Sequence, residues 1–187
     1  MEFFLDHWLP ILASAVFVFL ASSVLHMFLP IHRNDYGQLP EEDQVLDAMR
    51  AAKLSRGHYV FPYASCMEEM QSEEMQAKQK TGPVGFMTVL EPGPLNMGKS
   101  LGQWFVFTIV ISVFVAYIAS MSNIESGEIF RMTSTVAFLG YAMSYIQDSI
   151  WKGMKWSITG KFMIDGIIYA VVTGATMAWL WPEAAAA

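Results

Sequence analysis

Four stretches of the chain are dense in apolar residues, and polar or mixed segments separate them. A bilayer core asks for about 20 consecutive apolar residues in helical form. The first stretch, from about Trp8 to Leu29, and the second, from about Trp104 to Met121, carry no Asp, Glu, Lys or Arg. The third, from about Met132 to Ile150, is more polar, with Thr133, Ser134, Thr135, Ser144, Gln147 and Asp148. The fourth, from about Phe162 to Trp181, has the single charge of Asp165. The pattern predicts four membrane-spanning helices. The first begins Met1, Glu2, Phe3, Phe4, Leu5, Asp6, which lacks the basic lead of a secretory signal and reads as a retained helix.

Helices in lipid pack through small residues that let backbones approach. Gly166, Ala170, Gly174 and Ala178 repeat every four residues in the fourth stretch, and Thr108, Ser112, Ala116 and Ser120 do so in the second. Gly140 and Ser144 in the third, with Ser14 and Ser22 in the first, complete a set of small faces suited to a four-helix bundle. These faces serve packing within the chain or against another subunit.

Residues 30–103 form the one sizeable polar segment, too small to bury a strong core of its own. Pro40 with Glu41 and Glu42 opens a helix that Gly57 ends, and His58 to Tyr63 reads as a strand. Ser65 with Glu68 has capping-box spacing for a second helix, closed by Gly82 and Pro83, and Val84 to Leu90 reads as a second strand. The expected fold is therefore an all-α integral membrane protein. A four-helix transmembrane bundle carries a small α+β cytoplasmic cap in its first loop. Residues 1–29 make the first span, 30–103 the cap, and 104–187 the remaining spans with a C-terminal tail outside.

Composition agrees with a lipid solvent. The chain is 54% hydrophobic and 15% charged, against about 25% charged for soluble domains. A net charge of -6 speaks against a nucleic-acid partner, and the lone Cys66 excludes an internal disulfide. Seven of the 11 basic residues fall between the first two spans and three between the last two, leaving only Arg131 on the other side. The positive-inside rule then puts both termini outside. All six tryptophans (Trp8, Trp104, Trp151, Trp156, Trp179 and Trp181) fall at or just beyond predicted span ends.

Several patterns bear on chemistry. Gly93 to Ser100 matches a phosphate-binding loop. Such a site needs a parallel sheet and an acidic strand for magnesium, neither of which is predicted, so no nucleotide is expected and Lys99 reads as an interfacial anchor. Intramembrane ionisable residues point to function by default, and here they are His26, Asp148 and Asp165, each within about a turn of one membrane face. With Tyr145 and Tyr169 they make a candidate polar cluster. Its plainer alternative pairs Asp148 with Lys152 and Asp165 with Lys161, leaving His26 as a cap. His26, His32 and Asp35 flank Pro30 at a spacing that matches no standard ligand set. Met67, Met70 and Met75 near Cys66 read as packing surface rather than a copper site. No catalytic pair, metal or cofactor is expected.

Trp8-Leu9-Pro10-Ile11, the run from His26 to Arg33, the run from Gly82 to Met87 and the run from Ser149 to Gly153 resemble an uncharacterised group of small four-span bacterial inner-membrane proteins. The resemblance implies a bacterial cytoplasmic membrane and no mechanism. The leading expectation is a non-catalytic subunit or scaffold of a membrane complex, partnered by lipid and by another membrane protein or itself. A self-associating channel lined by Thr108, Ser112, Thr173 and Thr176 is the alternative, and a membrane enzyme using the polar cluster comes third.

Overall fold

In a computed structural model, which describes residues 2–121 and 126–182, the chain is 72% helical with one small two-stranded sheet. The expected C-terminal tail lies outside the described residues. Two compact units emerge: Met1–Asp35 with Asn96–Ala187, and Tyr36–Leu95.

Among the described residues, three helices of the first unit are long and apolar enough to cross a membrane: Glu2–Phe28, Met97–Ser120 and Trp156–Leu180. The first consists of α1 (Glu2–Ser23) and a terminal π-helical turn, Val24–Phe28. All three begin six or seven residues before the predicted windows, because polar residues at a helix start cost little where the helix meets headgroups or water. The third window differs more. It folds as two helices, broken at Ala142 and Met143, where one spanning helix was expected. The first piece holds 16 residues (Ser126–Tyr141) and the second nine (Ser144–Lys152). The 16 described residues of the first piece rise about 24 Å. Gly140 and Ser144, weak helix formers, flank the break.

We number the helices α2 (Glu42–Ala51), α3 (Met67–Met70), α4 (Glu73–Thr81), α5 (Met97–Ser120), α6 (Ser126–Tyr141), α7 (Ser144–Lys152) and α8 (Trp156–Leu180). In the first unit α1, α5, α6 and α8 pack as a ring, with α1 against α5 and α8, and α6 against α8 and α5. The small-residue faces make these contacts. A Cβ on Gly166 would stand 2.5 Å from that of Ala142, and one on Gly140 would stand 2.8 Å from the Ile111 Cδ1. A Cβ on Gly174 would come within 3.0 Å of the Phe130 carbonyl. Ser112, Ala116 and Ala170 are buried as the spacing predicts. Ser144 is not: it opens α7 and faces outward, and Gly166 and Gly174 of α8 meet Ala142, Ser134 and the Phe130 carbonyl instead. Ser120 and Ala178, the last members of their stripes, are exposed as well. Trp104, expected as an interfacial anchor, lies inside α5 and donates its indole N–H to the Ser22 hydroxyl at 2.8 Å.

The second unit contains α2, β1 (Gly57–Phe61), α3, α4 and β2 (Gly85–Val89). The strands pair antiparallel, Gly57 opposite Val89 and Phe61 opposite Gly85. Gly85 lets the strands close, because a Cβ there would meet the Phe61 ring at 3.0 Å. The second predicted helix is split. Glu69, rather than Glu68, accepts from both the backbone N–H and the hydroxyl of Ser65. Ser72 caps α4 by accepting from the Met75 N–H at 3.1 Å. Gly82, at φ +67, ends α4 in a conformation that side chains resist.

Candidate functional site

The site grows from the end of α1. Leu29 precedes Pro30, which disfavours helix at Leu29, and its backbone is extended at φ -94 and ψ 138. The chain then turns through a 3-10 turn, Pro30–His32. That reversal lays the His32 ring on the His26 ring, with centroids 4.4 Å apart and planes 26° apart. The stack continues through Phe162, 5.1 Å from His32, to Tyr145, 4.5 Å from Phe162 and nearly coplanar at 7°. Four rings, from the π-helical turn after α1, the 3-10 turn that follows, α8 and α7, stack in one row.

Asp165 of α8 stands beside both histidines. Its Oδ2 is 2.8 Å from His32 Nε2 and 3.6 Å from His26 Nε2, and its side chain is 3% exposed. Neither Asp165 oxygen nor His32 Nε2 has a hydrogen-bond partner among the described residues, although all three atoms are buried. A buried carboxylate without hydrogen bonds is costly unless a positive charge compensates it. The other His32 nitrogen, Nδ1, lies 2.6 Å from Asp35 Oδ2, and the Lys161 ammonium donates to Asp35 Oδ1 at 2.5 Å. That hydrogen bond from Lys161 holds the Asp35 carboxyl below the usual carboxylate range. It outweighs the opposing effect of desolvation, and His32 adds to it.

Next to the cluster lies a cavity of about 460 Å³. Met27, Met97, Leu101, Trp104, Tyr145 and Phe162 give it an apolar wall, and His26, Asp165 and Tyr169 bring polar groups to it.

Of the predicted cluster, the structure brings together His26, Asp165, Tyr145 and Tyr169. Asp148 stands apart, paired with Lys152 at 2.7 Å one turn along α7, as the plainer reading had it. The other half of that reading fails. Lys161 leaves Asp165, one turn away, and reaches Asp35 instead. Asp165 also lies deeper than predicted, nine residues into α8 and so about 14 Å from its start. Sequence reasoning saw His32 and Asp35 beside His26 but missed their meeting with Asp165 and Lys161. The signal was Pro30 between two histidines, a chain reversal that carries the second ring back over the first. Thr108, Ser112, Thr173 and Thr176, proposed as a pore lining, are buried between helices. Compared with known protein families, with curated proteins and with solved structures, the chain matches none.

Proposed function

We propose that the chain is an integral membrane protein that holds an amphipathic small molecule in this cavity, apolar body against Trp104 and Phe162 and polar head toward Asp165 and His26. The supporting observation is the cavity itself. At about 460 Å³ it falls within the range of ligand pockets, and its apolar wall with few converging polar groups is the usual composition of one. An ionisable residue without hydrogen bonds at membrane depth points the same way.

The test is native mass spectrometry of the protein gently extracted from its own membranes. An amphiphile bound one to one, and lost in Ser100→Trp, where an indole would fill the cavity that Ser100 lines, is the expected result. An empty wild-type protein, or equal occupancy in the variant, overturns the reading.

A second reading, the non-catalytic subunit, draws on the Tyr36–Leu95 unit. Tyr36 is 90% exposed and Leu95 80%, with Tyr63 and Met67 also open, side chains that a partner surface would cover. The same spectra decide it: a foreign chain at fixed stoichiometry supports a subunit, and its absence removes that reading.

The finer topology belongs to this proposal. Four crossings, with α6 and α7 together making the third, would put both termini outside a bacterial inner membrane. The distribution of basic residues and the resemblance support that arrangement. Cys66 is the single cysteine and is exposed, so a membrane-impermeant maleimide reports its side. Labelling in inside-out vesicles and protection in right-side-out vesicles is expected; the reverse inverts the topology.

A further inference from the structure

We infer that His26, His32 and Asp165 form a binding site for a divalent first-row transition-metal ion of the class that Zn²⁺ represents. One ligand atom from each residue lies within 4.8 Å of the other two. Zinc bonds to imidazole and carboxylate at about 2.0–2.2 Å, which places tetrahedral ligand atoms roughly 3.3 Å apart. The observed separations of 2.8 Å and 3.6 Å from Asp165 Oδ2 to the two Nε2 atoms bracket that value. Two imidazoles and one carboxylate suit Zn²⁺, Fe²⁺ or Mn²⁺ and not the all-oxygen shells of calcium.

The surroundings fit as well as the ligands. A metal-bound histidine usually donates its other ring nitrogen to a carboxylate, which fixes the tautomer and raises ligand basicity. His32 does this with Asp35 at 2.6 Å, and Lys161 holds Asp35 in turn. With the proton on Nδ1, the unprotonated His32 Nε2 lies 2.8 Å from a carboxylate oxygen without the alignment of a hydrogen bond. Two acceptors at that distance repel unless a cation lies between or beside them. One ion can lie in the plane of both stacked rings only once an imidazole turns, and His26, the more exposed of the two, is the ring with room to do so. His26, whose side chain is 40% exposed, and Asp165 both border the cavity. The three protein ligands therefore leave an open position on that side. The competing cation is a proton, which would make His32 an imidazolium between two carboxylates.

This inference needs only the side chains named and stands whether or not an amphiphile fills the cavity. Its test uses the full chain, purified without a polyhistidine tag, stripped by chelation and titrated with Co²⁺ near neutral pH. One equivalent should bind, with visible d–d bands that Zn²⁺ then displaces. His32→Ala and Asp165→Asn should lose stoichiometric uptake. Asp35→Asn keeps all three ligands and should weaken uptake roughly 10–100-fold, the usual cost of an outer-shell partner. His58→Ala, on β1, should titrate like the wild type. A folded wild type that takes up no Co²⁺, or a His26→Ala/His32→Ala protein that binds it as well, overturns the metal and leaves the proton. Neither result touches the amphiphile, which is read by mass.

Discussion

In the helical ring Thr108, Ser112 and Thr173 are fully buried, while Phe114 and Ile164 are 58% and 56% exposed. Between Tyr36 and Leu95 the order is the familiar one: Met75 alone is buried, and Glu68, Glu69, Glu73, Glu74 and Lys78 face out. A water-soluble bundle arranged like the first unit would be inside out. Lipid removes the penalty for exposing phenylalanine, so contact between helices is decided by how closely backbones approach and by where hydroxyls find partners. Thr108 and Thr133 donate to carbonyls of their own helices, so their burial leaves those hydroxyls satisfied. The second unit holds none of the three long apolar helices, and one buried methionine and a five-residue strand pair carry its order.

The comparison is broken most readily at Gly166. The nearest atom to a side chain there is the Ala142 Cβ, which has no rotamer to move into, and the Ala142 Cα stands behind it at 3.0 Å. Gly166→Val should therefore push α8 away from the end of α6, at about 3 kcal/mol, the upper end of the usual cost of overpacking, and appear as loss of monodisperse folded protein in mild detergent. A stable variant would mean that the ring is looser than described. Next comes Met75→Ala, which empties the only buried position of the second unit. Removal of a buried methionine costs about 2 kcal/mol even where the surroundings collapse inward. Amide exchange in β1 and β2 should accelerate while α8 keeps its protection. Equal acceleration in α8 would show that the two regions share one stability.

Which features were legible follows the same division. Regular elements announce themselves through neighbours in sequence: both strands, three long apolar helices, and the stripe of Gly166, Ala170 and Gly174 rest on spacing alone. The pairing of Asp148 with Lys152 is equally local. The break after Tyr141 was illegible because no proline marks it; two modest helix formers and the fit of Ala142 against Gly166 decide it. The cluster was half legible. His26 and Asp165 stand out as ionisable residues in apolar runs, but Lys161 had a nearer partner in sequence. It meets Asp35, 126 residues away, only because the turn after Leu29 carries that carboxylate to α8. Charge pairing read from one helix face misses a partner brought in from another part of the chain.

The smallest expected effect is the most discriminating. Phe114 points away from the ring, on the face of α5 opposite Ser112 and Ala116. If lipid covers it, Phe114→Leu exchanges one apolar surface for another in an apolar solvent. Stability measured by detergent-induced unfolding should then move by no more than about 0.5 kcal/mol, as for ordinary surface substitutions. If a second copy or another subunit covers it, the substitution opens a gap at a packed interface. The loss should then approach that of a core truncation, about 2 kcal/mol or more, and it should depend on protein concentration. Setting this value beside that of Gly166→Val therefore measures which solvent each face of the bundle meets. A near-zero result assigns the outer face of α5 to lipid; a large one assigns it to protein and turns the exposed phenylalanine into an interface residue.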